Sequence, residues 1–309
     1  GPRPLMDSRR RGELPAALAL FAGLLAVYWT GRASTFGAGD SAQHALSALT
    51  LGVSRPPGYP LYNALANLFS RLPFGAAPEL VNAFSGVLHA AAGALFFTTL
   101  RRLDCARPAA LTAAALMGLS PLWWYYSCVA EVRALNDFLA LLALWFALRA
   151  GESGGRRHWA GLALALGLGL SHHPTFLFIV PAVATAIWAS GARRPPPWSA
   201  GLLVAAAAAP YLWLWLRLEA SPAAYNPDAV SGLGGILRLA LRADSGGFFR
   251  VAAERGAEAL AAGSLRQLAW WAASCARAAT APGLLLAALG AAALWSGRRR
   301  RWLAVWALW

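Results

Sequence analysis

The stretch LPAALALFAGLLAVYWT, Leu14–Thr30, decides the fold class of this chain. It follows Glu13 and carries no charge along its 17 residues. A helix of this length rises by about 25 Å, which nearly crosses the hydrocarbon layer of a bilayer. The stretch therefore predicts a membrane-spanning helix.

The composition of the whole chain agrees with a membrane protein. Of the 309 residues, 58% are hydrophobic and 13% are charged, and the charged share is roughly half that of a soluble domain. So hydrophobic a chain is not disordered. The net charge is +14 and all 27 basic residues are arginines, which occur in short bursts between apolar runs. This distribution argues against a nucleic-acid partner and favours the lipid bilayer. Three scattered cysteines without a CxxC motif argue against a disulfide framework or a zinc site.

Further apolar runs predict seven more spans and the start of a ninth. They cover Val81–Leu100, Ala109–Tyr126, Ala134–Leu148, Trp159–Ser171, Thr175–Ser190, Pro197–Leu216, Ala278–Gly297 and, incompletely, Trp302–Trp309. The pair separated by His172-His173-Pro174 is either two short spans or one broken re-entrant element. The fold class is thus expected to be an all-α integral membrane protein, a helical bundle with about 8–9 transmembrane helices in this chain. We also expect the natural protein to continue beyond Trp309.

The arginines give the expected orientation. With the N-terminus in the cytoplasm, 16 of the 27 arginines fall on the cytoplasmic side together with only four acidic residues. This follows the positive-inside rule. Residues 1–5 look like a tag remnant before Met6, and no cleavage site follows the first span, so we expect that span to be retained. The absence of lysine, with abundant alanine, glycine and proline, suggests a bacterial source and hence the bacterial inner membrane.

The outer loops hold the polar residues that could do chemistry. The first, residues 31–80, contains Asp40, a short predicted helix over residues 42–51 capped by Asp40 or Ser41, and a rigid turn at Pro56–Pro60. Glu131 and Arg133 lie in the second outer loop, and His172-His173 in the third. We expect four regions: 1–13, the tag remnant and cytoplasmic N-terminus; 14–217, the catalytic transmembrane module; 218–280, an outer loop with amphipathic helices; and 281–309, C-terminal spans.

Several stretches of the chain resemble a known family. These are GDSAQ (39–43), LGVSRPPGYPLYNALANLFSRLPFGAAPELVNAFS (51–85), AEVRALNDFLALLALWFALR (130–149), GLGLSHHPTFLF (167–178) and, more weakly, YNPDAVSGLGGILRLALR (225–242). They resemble a family of polytopic membrane proteins, long catalogued as of unknown function, that includes transmembrane protein O-mannosyltransferases. The family belongs to the GT-C glycosyltransferases. The resemblance implies a GT-C type bundle and an inverting transfer of a sugar from a polyprenyl-phosphate donor to a hydroxyl of a protein or glycan acceptor, at the outer (periplasmic) membrane face.

The chain departs from the family pattern at three positions. Gln43 stands where the family often has a second acid, Arg55 where it usually has histidine, and Arg133 where it commonly has tyrosine. The first departure argues against a two-carboxylate site in the loop. The two extra arginines point to a different donor or acceptor.

The resemblance implies a role for Asp40 as the general base that takes the proton of the acceptor hydroxyl. Its alternative role is a solvated or helix-capping aspartate. Arg55 and Arg133 would bind the phosphate of the lipid-linked donor through their forked guanidinium groups. The alternative is that both arginines extend to the head groups of the bilayer lipids.

The resemblance also makes Tyr59, Glu131, His172 and His173 substrate contacts. For Glu131 the alternative is a structural ion pair, and for the histidines it is backbone satisfaction at a helix break. No metal-ligand spacing appears, so we expect neither a metal nor any cofactor besides the lipid-linked donor. Two rival functions stay open: a transporter or flippase of a lipid-linked sugar, and a non-catalytic membrane scaffold.

Overall fold

The computed structural model of the chain describes residues 12–37, 39–191, 194–222 and 224–243, together with residues 269 and 273. All regular structure within residues 12–243 is helical. The helices are α1 Glu13–Gly31, α2 Ser41–Thr50, α3 Pro60–Ser70, α4 Ala77–Arg102, α5 Arg107–Gly118, α6 Pro121–Ser127, α7 Arg133–Ser153, α8 Arg156–His172, the 3-10 helix Pro174–Phe178, α9 Ile179–Ala189, α10 Pro197–Ala220 and α11 Gly232–Ala240. The predictions for residues 1–11, 244–268, 270–272 and 274–309 fall outside the described residues.

Four helices of the described part are long and apolar enough to cross a membrane: α1, α4, α7 and α10. They confirm four of the predicted spans and the expectation of a helical membrane protein. The longest, α4, carries Glu79 in its first turn and Arg101 and Arg102 in its last. These charges oppose the partial charges of the helix ends and stabilise both termini.

The predicted span Ala109–Tyr126 is wrong as a single helix. The chain leaves the helix after Gly118, and a new helix begins at Pro121, whose ring cannot supply a backbone N–H to a continuous ladder. The hydroxyl of Tyr28 on α1 donates to the carbonyl of Gly118 at 2.7 Å, so the freed acceptor is satisfied by a neighbouring helix. A tertiary contact therefore makes this break stable inside the bundle.

The predicted spans on either side of His172-His173-Pro174 form a broken segment. Helix α8 has 17 residues and ends at His172, and α9 has only 11. Between them Pro174–Phe178 forms a 3-10 turn, and the side chain of His173 accepts from the N–H of Thr175 at 3.2 Å. The break brings His172 and His173 to one end of the bundle.

Ion pairs mark the two ends of the bundle. At the end where α1 begins, Arg101 pairs with Glu13 at 2.6 Å. At the other end, Arg32 pairs with Glu79 at 2.5 Å. Helices α1 and α4 are therefore antiparallel, as the predicted topology requires, and the first outer loop lies at the Arg32 end.

That first loop is folded onto the bundle. The expected helix over residues 42–51 is confirmed as α2, one residue earlier, and the loop adds a second helix, α3. Buried side chains hold the two together: the hydroxyl of Ser47 donates to the Asn63 side-chain carbonyl at 3.1 Å, and the Asn67 amide donates to the carbonyl of Ala48 at 2.9 Å. Both helices join the largest hydrophobic core, with α4, α7, α8 and α9.

Candidate functional site

Asp40 stands at the N-cap position of α2, with an exposed side chain that makes no capping hydrogen bond. Its backbone carbonyl accepts from the N–H of His44 at 3.0 Å. Because residues four apart share one helix face, Asp40 and His44 are neighbours on α2. The carboxylate of Asp40 is free to meet a ligand, and the interpretation as a capping aspartate does not fit this geometry.

Asn82 connects the chain before Asp40 to the chain before Arg133. Fully buried on α4, it donates to the carbonyls of Ala33 and Thr35, both at 2.8 Å, and accepts from the N–H of Ala130 at 2.8 Å. Three of the four hydrogen bonds that its amide can make are thus formed with the backbone of two loops at this end of the bundle. The spacing of these loops depends on one side chain.

Tyr59 occupies the centre of a cluster of histidines. The imidazoles of His44 and His172 meet its ring nearly edge-on, with centroids at 5.4 and 5.7 Å. The ring of His173 stacks on it at 5.9 Å and 16°. Tyr59 has a φ of 49°, a left-handed conformation that side chains other than glycine rarely adopt, and such residues gather at functional sites.

The two turns around Tyr59 are tied to the long helices. The hydroxyl of Tyr211 on α10 lies 3.0 Å from the carbonyl oxygens of both Pro57 and Ser171, and it donates its one proton between these two acceptors. The peptide bond between Pro56 and Pro57 is cis. One phenol thus fixes the turn that carries Tyr59 to the end of α8 that carries the two histidines.

Glu131 and Arg133 form a loose pair beside this cluster. The Glu131 carboxylate accepts from the N–H of Arg133 at 3.3 Å and lies 3.8 Å from its Nε. The glutamate side chain is 12% exposed and the arginine side chain 58% exposed. Arg133 also lies over the ring of Tyr126 at 4.7 Å. The guanidinium group of Arg133 is therefore oriented by Glu131 and by the ring of Tyr126, and the rest of its surface is exposed.

The outer segment after α10 folds back onto the same region. Helix α11 buries Ile236 and Leu239 against Val53 and Leu214. Leu239 lies so close to Gly58, whose φ is +86°, that a Cβ there would stand 2.6 Å from a Leu239 methyl group. The φ of residue 58 disfavours a side chain, and the contact with Leu239 adds to the preference for glycine next to Tyr59. Arg242 follows the end of α11 and lies close enough to the cluster to influence the pKa values of Tyr59 and His173.

Charges and burial shift several ionisation equilibria in the cluster. Burial lowers the pKa of His173 to about 4, and Arg133 and Arg242 contribute to the lowering. Burial also lowers the pKa of His44 to about 4, against the opposing effect of Asp40. These imidazoles are therefore neutral at physiological pH and act as hydrogen-bonding groups rather than cations.

Glu131 and Tyr59 respond to the same surroundings. Burial raises the pKa of the Glu131 carboxyl, Arg133 opposes this, and the charge of Asp40 adds to it. Burial likewise raises the pKa of Tyr59, which the charges of Arg242 and Glu131 also influence. These electrostatic effects agree with a position of these groups at one end of the bundle.

The structure brings together most of the residues selected from sequence. Asp40, Tyr59, Glu131, Arg133 and His173 share one end of the bundle, with His172 buried beneath them. Arg55 begins the turn that carries Tyr59, since its carbonyl accepts from the N–H of Gly58 at 2.8 Å. Its side chain is exposed and, within the described residues, makes no hydrogen bond or ion pair, so its assignment as a phosphate ligand stays a prediction.

Sequence reasoning missed two members of this cluster. His44 would be taken from the sequence as a surface residue, but it is buried. Its position four residues after Asp40, on the same helix face, was the signal that could have identified it. Arg242 lies far along the chain, and its proximity follows only from the packing of α11. Among the described residues, no group of three histidine, cysteine or acidic side chains is arranged to hold a metal ion.

A groove of about 470 Å³ lies elsewhere, between α1 and α5. Ala16, Leu20, Arg107 and Leu111 are among its lining residues. It opens at the end of the bundle that carries the Arg101–Glu13 pair. This groove is therefore separate from the cluster around Tyr59.

Comparisons with known proteins give a consistent answer. Residues 40–194 match the model of the protein O-mannosyl-transferase TMEM260 N-terminal domain. The mouse protein O-mannosyl-transferase TMEM260 is 34% identical over 177 residues, which are 55% of this chain and 25% of the mouse protein. The Dictyostelium discoideum protein O-mannosyl-transferase tmem260 is 22% identical over 260 residues, which are 77% of this chain and 32% of that protein. This chain thus spans between a quarter and a third of the length of these eukaryotic relatives. No solved structure matches it.

Proposed function

The chain belongs to the family of the protein O-mannosyl-transferase TMEM260 N-terminal domain, and from this membership we propose that it binds a lipid-linked sugar and transfers that sugar to an acceptor hydroxyl. The matched segment, residues 40–194, contains Asp40, Tyr59, Glu131, Arg133 and both adjacent histidines. A mannosyl group is the sugar that the names of the relatives suggest. The donor we propose is a polyprenyl phosphate carrying this sugar, and the acceptor a protein or glycan hydroxyl.

The proposed setting is a GT-C type bundle of 8–9 spans with its site on the non-cytoplasmic face. Two observations support this face. The arginine distribution favours a cytoplasmic position for the Arg101 end of the bundle, and the cluster around Tyr59 lies at the opposite end. In a bacterium this would be the periplasmic face of the inner membrane.

The proposed reaction is a single displacement with inversion. The acceptor oxygen attacks the anomeric carbon from the side opposite the lipid phosphate, and a new C–O glycosidic bond forms. The bond between the anomeric carbon and the phosphate oxygen breaks, and its electron pair stays on the phosphate. Asp40 takes the proton of the acceptor hydroxyl as the bond forms.

The observation that carries this proposal is the free carboxylate of Asp40. An aspartate at an N-cap usually satisfies its oxygens on the first turn of its helix. Here the carboxylate makes no such bond, although it stands close enough to His44, Tyr59 and Glu131 to influence the pKa of each. An exposed acid without a capping bond, beside a cluster of neutral imidazoles, suits a general base that receives an incoming hydroxyl.

Two arginines would receive the departing phosphate. Arg133 and Arg242 both act electrostatically on His173 and Tyr59, and negative charge on the leaving group grows as the transition state is approached. Glu131 would orient Arg133. This assignment replaces Arg55 with Arg242 as the second phosphate ligand, and it requires no metal ion.

A transfer assay tests the proposal and separates it from its rivals. The full chain is reconstituted into vesicles loaded with radiolabelled polyprenyl-phosphate mannose, and a threonine-rich peptide is the acceptor. We expect label on the peptide. Label that crosses the bilayer without reaching any acceptor, across a panel of peptide and glycan acceptors, would indicate a transporter. Neither transfer nor movement would indicate a scaffold.

A further inference from the structure

Three buried polar atoms on α2 and at the end of α8 have no hydrogen-bond partner among the described residues. They are Oγ of Ser41, Nδ1 of His44 and Nδ1 of His172. The three residues are 3%, 7% and 0% exposed. Buried polar groups in proteins are almost always hydrogen-bonded, and exceptions point to a water or ligand that completes them.

Two of these atoms belong to rings that contact Tyr59. Ser41 and His44 are three residues apart and therefore share one face of α2. His44 and His172 approach the same ring, that of Tyr59, from separate helices. The two histidines thus bring unsatisfied groups from α2 and α8 to the same aromatic side chain, and Ser41 lies one helical turn from His44 on α2.

The hydrogen-bonding character of His172 follows from its other nitrogen. Nε2 lies 2.8 Å from the carbonyl of Val132, which can only accept, so Nε2 carries the proton. The unpartnered Nδ1 of the neutral ring is therefore an acceptor. The Ser41 hydroxyl can both donate and accept. Such a mixture of neutral donors and acceptors matches the hydroxyl groups of a sugar, each of which also donates and accepts.

From this geometry we propose that Ser41, His44 and His172 form a neutral subsite beside Tyr59 that binds the hydroxyl groups of the transferred sugar. The inference rests on the proposed function and adds to it the residues that recognise the sugar ring. It also divides the donor: the sugar lies among neutral buried groups, and the phosphate meets Arg133 and Arg242. A neutral hexose is the expected cargo, because a charged sugar would bring an uncompensated charge into this buried position.

A binding experiment separates recognition of the sugar from recognition of the lipid phosphate. Purified full-length protein is titrated with polyprenyl phosphate and, separately, with polyprenyl-phosphate mannose, and tryptophan fluorescence reports binding. The test variant is His44→Phe, which keeps an aromatic ring against Tyr59 and loses both nitrogens. The matched control is His158→Phe. His158 is also buried, but it bonds Ser153 beside Gly155, at the end of α8 remote from Tyr59.

We expect His44→Phe to bind polyprenyl phosphate within about twofold of the unmodified protein, and the mannosyl lipid about tenfold or more weakly, since a lost hydrogen bond to a buried group has roughly this effect. The His158→Phe control should keep the preference for the mannosyl lipid. If His44→Phe fails to fold, Ser41→Ala removes a single oxygen and carries the same expectation.

The outcomes have distinct meanings. If the unmodified protein prefers the mannosyl lipid and both His44→Phe and Ser41→Ala retain that preference, the subsite is refuted and the proposed function stands. Equal weakening for both lipids also refutes the subsite, since the residue would then act on the fold or on the phosphate. If the unmodified protein binds neither lipid, the proposed function fails and the subsite fails with it.

Discussion

The side-chain carbonyl of Asn82 accepts a hydrogen bond from the backbone N–H of Ala130 at 2.8 Å. The amide of the same side chain donates to Ala33 and Thr35. The segment that leads to Asp40 and the segment that leads to Arg133 are therefore spaced by one buried group. The proposed base and the proposed phosphate ligand depend on it without touching it.

Asn82→Ala should disrupt both stability and transfer. The change leaves two carbonyls and one N–H of the backbone without a partner, which destabilises the fold by about 2 kcal/mol or more. We expect a lower thermal unfolding midpoint, measured on purified protein, and a transfer rate reduced at least tenfold even in the fraction that stays folded. Asn82→Asp keeps the acceptor for Ala130 but sets a buried negative charge against the carbonyls of Ala33 and Thr35, so it should destabilise the fold at least as much as alanine. Normal transfer by folded Asn82→Ala would refute the positioning role.

Asp40→Asn should abolish transfer and preserve the fold. The amide is the same size as the acid but cannot take a proton, and the loss of a general base typically reduces rates by about 10² to 10⁴. Because the side chain is exposed and makes no capping bond, unfolding should be unchanged. The matched control is Asp228→Asn, at another exposed aspartate of an outer loop. Transfer by Asp40→Asn at the rate of this control would exclude Asp40 as the base.

Arg133→Gln and Arg242→Gln should each weaken binding of polyprenyl phosphate by about three- to tenfold, and more strongly at low salt, where charges are less screened. Titration at two ionic strengths measures both effects. Arg55→Gln is the comparison, because sequence reasoning selected Arg55 and the structure leaves it exposed. We expect Arg55→Gln to bind the lipid as the unmodified protein does. A stronger effect at Arg55 than at Arg242 would restore the sequence-based assignment.

Acid should destabilise the protein through His44. Burial lowers its pKa from 6.5 to about 4, which Asp40 partly opposes and His173 and Arg133 reinforce. Between these values the unfolded chain binds a proton on this imidazole and the folded chain does not, so the free energy of unfolding falls as the pH drops from 6.5 toward 4. Thermal unfolding of the unmodified protein and of His44→Phe, followed from about pH 7 to about pH 4.5, should show a smaller decline in the variant. Identical declines would contradict the assignment to His44.

The sequence predicted best the parts of the fold that hydropathy governs. Helices α1, α4, α7 and α10 each contain a long apolar run, so their positions follow from hydropathy. The break at Gly118 could not be predicted in this way, because the hydrogen-bond partner of its freed carbonyl is Tyr28, 90 residues away. A hydropathy profile does not identify such a distant partner.

The candidate site divides in the same way. Asp40, Glu131 and Arg133 were accessible from motif and position, since polar residues at the ends of apolar runs are conspicuous. His44 and Arg242 were not, because each depends on how an amphipathic helix, α2 or α11, packs on the bundle. Arg55 was selected from its motif, and its direction is set by the turn that follows it.

The two ends of the bundle predict two different effects of a mutation in cells, one on the amount of protein and one on its activity. Arg101, Glu13 and their neighbours hold the helices at one end, and the groups around Tyr59 lie at the other, joined through the packed helices between them. A lesion at the Arg101–Glu13 end should lower the amount of protein that survives quality control, while the surviving molecules work at a normal rate. A lesion at an exposed group of the Tyr59 end, such as Asp40, should leave abundance intact and silence each molecule. Protein abundance and the transfer rate per molecule, measured together, would thus assign a variant to one end of the bundle or the other.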